Sequence, residues 1–89
     1  PEEVEQAFHT ICPNWVNDFV VYGRPEETLG FEVVLRVQIA EPGRDLDHAF
    51  STWRSQLKSL LGTAKTPRSV ELGQVPRTDR GKVQRRTLP

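Results

Sequence analysis

Phe31-Glu32-Val33-Val34-Leu35-Arg36-Val37-Gln38-Ile39 alternates almost without a break. Phe31, Val33, Leu35, Val37 and Ile39 share one side. Glu32, Val34, Arg36 and Gln38 share the other. A strand turns successive side chains to opposite faces, so this pattern predicts a half-buried strand with a mostly polar second face. Upstream, residues 15–22 (Trp-Val-Asn-Asp-Phe-Val-Val-Tyr) are aromatic and β-branched and predict a second strand. Between the two, Gly23-Arg24-Pro25-Glu26-Glu27-Thr28-Leu29-Gly30 carries turn residues and predicts a polar connection. The expectation is an antiparallel hairpin with a long loop.

Downstream of the strand, Glu41-Pro42-Gly43-Arg44 makes a turn, and Asp45 is a good N-cap. Leu46, Ala49, Phe50, Trp53, Leu57, Leu60 and Leu61 then recur at helical spacing, an apolar stripe of about four to five turns. Lys58 suits the last turn and Gly62 the C-terminal cap. A third strand is expected over 68–75, with Val70 and Leu72 inward. At the other end, residues 1–12 predict a helix that Pro13 ends. Pro1 suits its first position, Glu2, Glu3 and Glu5 favour its N-terminal dipole, and Val4, Phe8 and Ile11 make its apolar face. The order helix, strand, strand, helix, strand, loop and short helix implies an α+β domain. Its three-stranded sheet would be an antiparallel hairpin plus a third strand after a helical crossover, packed with two to three helices.

Eighty-nine residues suffice for one small domain with a modest core. With 36% hydrophobic and 27% charged residues, the composition is that of an ordinary globular chain. Zero formal net charge argues against a dedicated nucleic-acid binder. Charge is uneven, however: residues 1–41 carry eight acids against Arg24 and Arg36, and basic residues gather at the C-terminal end. Such asymmetry suggests a local anionic ligand. Cys12 stands alone, which excludes an internal disulfide and fits a reducing compartment, so a cytoplasmic protein is expected. His9 and His48 lack ligand spacing, and no metal site is expected. No apolar run is long enough to span a bilayer. The chain contains no methionine, which leads us to expect a piece of a longer protein.

The chemistry concentrates in Val75-Pro76-Arg77-Thr78-Asp79-Arg80-Gly81-Lys82-Val83-Gln84-Arg85-Arg86, which holds five of the twelve basic residues. Gly81 lets the backbone turn sharply, and Lys82 after it can project as a compact point charge suited to phosphate or carboxylate oxygens. Such a group serves as an electrostatic clamp on developing negative charge. A P-loop is excluded, because one glycine precedes the lysine and Val83, not Ser or Thr, follows it.

From Pro76 to Arg86 the stretch resembles the closing motif of the adenylate-forming superfamily, which includes acyl-CoA synthetases, nonribosomal peptide synthetase adenylation domains and luciferases. The pattern there is Pro-Arg/Lys-Thr, two variable residues, Gly-Lys, an aliphatic residue, a variable residue and Arg or Lys, and the chain matches at each point. Glu3-Val4-Glu5 resembles the opening of the superfamily's first helix after its interdomain hinge. Ala64-Lys65-Thr66-Pro67 resembles a Tyr-Lys-Val/Thr-Pro run, with alanine in place of tyrosine. Gly30 matches a Gly-Glu or Gly-Gln at the second strand, with Phe31 standing before Glu32. Thr87-Leu88-Pro89 is similar to the Ala-Leu-Pro that follows peptide-synthetase adenylation domains.

The resemblance implies that residues 1–89 are a mobile C-terminal lid domain, whose partner is its own larger N-terminal adenylation domain. It implies ATP and Mg²⁺, bound mainly by that missing domain, and CoA or a carrier-protein phosphopantetheine as acceptor. Lys82 would contact carboxylate and nucleotide during adenylation. Arg77, Thr78, Gly81 and Gln84 would belong to the substrate and nucleotide loop. Gly30 and Glu32 would lie on the face presented to the thiol. Arg77, Arg80, Arg85 and Arg86 read as surface or docking charges more than as contacts to the nucleotide phosphates. Isolated, the domain should not turn over ATP. A second reading stays open: a non-catalytic interaction domain whose basic end binds RNA, anionic lipid or an acidic protein. Against it stand the zero net charge and the lack of aromatics interleaved with the basic run.

Overall fold

The structure, a computed structural model, describes residues 2–28, 30–41 and 43–84. The elements run in the order α1 (Glu2–Ile11), β1 (Val16–Glu26), β2 (Gly30–Ile39), α2 (Leu46–Leu61) and β3 (Ser69–Leu72), with one 3-10 turn (Thr63–Lys65) before β3. The sheet order is β1-β2-β3. β1 and β2 are antiparallel, and β2 and β3 are parallel, joined by α2 as the crossover. This is the α+β architecture that the sequence predicts. The short helix expected after the basic loop falls at residues 85–89, outside the described residues, as does Pro1.

Both helices cover one face of the sheet. Val4 and Phe8 of α1, Trp53 and Leu57 of α2, and Val21, Leu35 and Val37 of the strands form one buried cluster, with Val16 at its edge. Burying each large side chain stabilises the fold by roughly 1.5–3 kcal/mol. Phe8 is the hinge of this packing. Its ring meets Phe19 edge-on at 4.7 Å and Trp53 edge-on at 5.0 Å, the offset geometry that aromatic quadrupoles favour. Trp15 stacks on Trp53 at 5.6 Å, and the Arg44 guanidinium lies 4.8 Å from the Trp15 ring. α2 begins where Asp45 accepts a hydrogen bond from the His48 amide at 3.1 Å. It ends at Gly62, whose φ of +86° suits a residue with no Cβ and whose N–H donates to the Lys58 carbonyl.

Three expectations need correction. The hairpin has no long loop: β1 continues through Gly23, Arg24, Pro25 and Glu26, and Glu26 pairs with Gly30. Pro25 is tolerated because β1 is an edge strand, where a residue without an N–H costs the ladder nothing on its open side. The third strand spans Ser69–Leu72 alone, and Leu72, expected inward, is 59% exposed at its end. Phe31 and Leu60, expected on core-facing stripes, are 70% and 60% exposed. Phe31 stands at the hairpin end of β2, and Leu60 lies on the flank of α2, beside the line of Leu57 and Leu61 that packs on the core.

The second face of the sheet is not simply solvated. Val20 and Val34 are fully buried there and Tyr22 nearly so. Charged pairs surround them: the Tyr22 hydroxyl meets Glu71, Arg36 donates to Glu71 at 2.9 Å, and Arg24 pairs with Glu32. Arg36 also donates to the Gln74 carbonyl at 2.7 Å, and the Val75 amide donates to Gln38 Oε1 at 2.9 Å. The chain after β3 is therefore held along this face on its way to the basic loop. Along the open edge of β1, Glu5 of α1 accepts from the Val21 amide at 3.1 Å.

Candidate functional site

The basic loop folds back on itself. The Gly81 amide donates to the Thr78 carbonyl at 2.8 Å, closing a turn over Thr78-Asp79-Arg80-Gly81. Gly81 has φ +86°, a conformation that L side chains rarely adopt. Arg77 and Val83 then face each other in an antiparallel bridge, and the Gln84 amide donates to the Pro76 carbonyl at 2.8 Å. Thr78 grips Lys82 from both sides. Its N–H donates to the Lys82 carbonyl at 2.7 Å, and its Oγ1 accepts from the Lys82 amide at 3.1 Å.

Arg77 fastens this loop to β1. Its Nε donates to Asp18 Oδ2 at 2.5 Å and its Nη2 to Asp18 Oδ1 at 2.7 Å, a two-pronged contact that matches guanidinium to carboxylate. Its Nη1 donates to the Gly81 carbonyl at 2.6 Å. The hydrogen bond from Arg77 holds the Asp18 carboxyl below the usual aspartate range, against the opposing effect of partial burial, and Asp18 pushes Arg77 upward in return.

Lys82 is exposed, and among the described residues no hydrogen bond or ion pair involves its ammonium. It stands at the rim of an open groove of about 690 Å³ between α1, the start of β1 and the loop. Glu5, His9, Cys12, Asp18, Arg77 and Gly81 also line that groove. Burial pushes the Cys12 thiol up from its ordinary value, so it is no ready nucleophile there. Among the described residues no group of three or more His, Cys, Asp or Glu side chains is arranged to hold a metal ion. No described helix is long and apolar enough to cross a membrane.

Of the loop residues singled out in the sequence, Thr78 bonds Lys82 directly, Arg77 reaches the Gly81 carbonyl beside it, and Gln84 closes the loop through its amide to Pro76. Gly30 and Glu32 do not join them. Gly30 opens β2 with φ +86° at the hairpin end, and Glu32 is paired with Arg24. That end lies at the far end of β1 from Asp18; the eight strand steps from Asp18 to Glu26 span roughly 26 Å at ~3.3 Å per residue. Asp18 was not singled out in the sequence. Its signal was an acid in an otherwise apolar strand, on the polar face, but its partner stands 59 residues away.

A small α+β domain carrying an exposed lysine on a clamped Gly-Lys loop is the class that fold and site define. No protein-family model matches the chain, and no curated protein matches it. Solved structures do. An acyl-CoA synthetase from Brucella canis is 26% identical with a TM-score of 0.83, over 99% of this chain and 16% of that one. An amide bond synthetase, McbA from Marinactinospora thermotolerans, is 28% identical with a TM-score of 0.71, over 98% of this chain and 17% of that one. An ATP-bound RpMatB–BxBclM chimera is 24% identical with a TM-score of 0.81, over 99% of this chain and 17% of that one. The chain has the fold of a domain-sized part of the AMP-binding acyl-CoA synthetases and adenylation enzymes, in agreement with the resemblance its closing motif carries. It spans about one-sixth of the length of these relatives.

Proposed function

We propose that this chain is the mobile C-terminal domain of an ATP-dependent, carboxylate-activating ligase and that it supplies the adenylation lysine, Lys82. One observation carries the reading: the Lys82 backbone is clamped by Thr78 while its ammonium stays exposed at the rim of a groove. A fixed base with an unpaired charge suits a group that must meet an anionic partner on another domain.

In the proposed reaction a carboxylate oxygen attacks the α-phosphorus of ATP. The bond to pyrophosphate breaks and an acyl-adenylate forms. A thiol, of CoA or of a carrier-protein phosphopantetheine, then attacks the acyl carbon and AMP leaves. The first transition state crowds negative charge on the α-phosphate and carboxylate oxygens. Lys82 lowers its energy as a fixed positive charge and takes no proton. Thr78 and Gly81 shape the loop that presents it. ATP and Mg²⁺ are held mainly by the larger N-terminal domain on this reading. The separation of Lys82 from Gly30 and Glu32 supports a two-step use of the domain, in which its rotation withdraws the lysine and brings the hairpin end toward the thiol. A cytoplasmic location goes with this chemistry.

The test is Lys82→Ala in the full-length ligase, assayed in both half-reactions. Carboxylate-dependent ATP–pyrophosphate exchange should fall by orders of magnitude, while thioester formation from supplied acyl-adenylate survives. An amine acceptor is the control for the second step, because one structural relative is an amide bond synthetase. If exchange is unaffected, Lys82 is only a surface charge and the reading fails.

A further inference from the structure

The loop's connection to β1 is the part of the molecule whose geometry exceeds what its stability requires. The Asp18–Arg77 pair is partly open to solvent, with side chains 25% and 38% exposed. Ion pairs at such positions contribute little to folding. Yet Arg77 directs all three of its donor positions in a fixed fork. Two reach the carboxylate of Asp18, and one, at 2.6 Å, reaches the carbonyl of Gly81, the residue before Lys82. Asp18 is itself oriented, its Oδ1 accepting from the Phe19 amide at 2.9 Å. Phe19 in turn packs edge-on against Phe8 in the core. A chain of contacts thus runs from the rigid core through Phe19, Asp18 and Arg77 to the peptide that carries Lys82. Thr78 fixes the other side of that peptide.

We propose that Asp18 and Arg77 form a latch that positions Lys82 for adenylation, with Arg77 acting through the Gly81 carbonyl rather than by touching the nucleotide. This rests on the function proposed above and deepens it. Arg77 is then a positioning residue, and Asp18, which no motif marks, is its anchor. With the latch broken, the ammonium loses its register against the carboxylate and α-phosphate. Misplacement of a catalytic group by about 1 Å can cost a hundredfold in rate. Substrate binding, made elsewhere, is untouched.

The experiment compares Arg77→Ala, Asp18→Asn and the double variant in the full-length ligase, with Lys82→Ala beside them. Asp18→Asn keeps the Oδ1 acceptor for the Phe19 amide and removes the charge. We expect each single variant to lower the kcat of ATP–pyrophosphate exchange by about tenfold to a hundredfold. KM for ATP should stay within about twofold, and the melting temperature within about 2 °C. The double variant should be no worse than the poorer single one, because both break the same contact. Amide hydrogen exchange over residues 76–84 should speed up equally in all three and stay unchanged in Lys82→Ala. The latch is overturned if Asp18→Asn is silent while Arg77→Ala raises KM for ATP, which would put Arg77 on the nucleotide. It is also overturned if the two losses multiply, or if hydrogen exchange over 76–84 does not change. Should Lys82→Ala leave pyrophosphate exchange intact, the adenylation role falls. The hydrogen-exchange comparison then still decides whether Asp18 and Arg77 hold the loop.

Discussion

Raising the pH above 10 should loosen this domain chiefly through one residue. Tyr22 is the chain's single tyrosine. It is 4% exposed, and its hydroxyl meets Glu71. Burial, and next the Glu71 carboxylate, push its phenol up from 10.0 to about 12. The folded state therefore holds this proton more tightly than the unfolded chain. The stabilisation is fully present below pH 10 and is lost as the pH rises from 10 toward 12. A shift of this size corresponds to roughly 2–3 kcal/mol, a large share of the stability of so small a domain. Phenolate absorbance reports the titration, with Tyr22→Phe as the blank. In native conditions the midpoint should lie near 12, and in strong denaturant it should return to about 10. Glu71→Gln should lower the native midpoint only part of the way, because burial is the larger cause. The denaturant midpoint should fall between pH 9 and pH 11.5 in the parent, and much less in Tyr22→Phe. A native midpoint near 10 would refute the reasoning, since it would mean that the hydroxyl reaches water and that the contact with Glu71 does not form.

Leu57 is fully buried and Leu60, three residues on, is 60% exposed, although both belong to one helical stripe. Leu57→Ala should cost about 2–5 kcal/mol in chemical denaturation and Leu60→Ala well under 1 kcal/mol; equal losses would show that α2 is rotated relative to the sheet. Asp45→Ala removes the acceptor for the His48 amide and should cost about 1 kcal/mol, read from the same denaturation curves, with Asp45→Asn close to neutral.

What the sequence disclosed followed the range over which its signals act. α2 was legible at both ends because Asp45, the stripe and Gly62 are local devices that act within a few residues. The pairing of the strands was legible from the alternation of 31–39. The extent of β1 was not, because Gly-Arg-Pro-Glu is turn chemistry in isolation and becomes strand only when β2 pairs with it at an edge. Leu60, Leu72 and Phe31 have the spacing of core residues; Leu72 and Phe31 stand at strand ends, and Leu60 on the flank of α2 beside Leu57 and Leu61, limits that no periodicity records. In the loop, the turn at Gly81 and the exposure of Lys82 were legible because they are written in neighbouring residues. The use of Arg77 was not, because it depends on Asp18, 59 residues earlier. Tyr22 and Glu71 are hidden in the same way, 49 residues apart.

The hydrogen bond from Val21 to Glu5 bears on how the molecule behaves in a crowd. Among the described residues β1 is a long outer strand of the sheet, and an outer strand offers its amides to any passing chain. Here a stranger would meet Val21 already donating to a carboxylate, and Pro25 with no proton to give. Both stand on the same alternate set of positions along the strand, those that would stitch a fourth strand to the sheet. Glu5→Ala would leave the core intact but unguard that edge, and its first symptom would be association between copies at high concentration rather than unfolding.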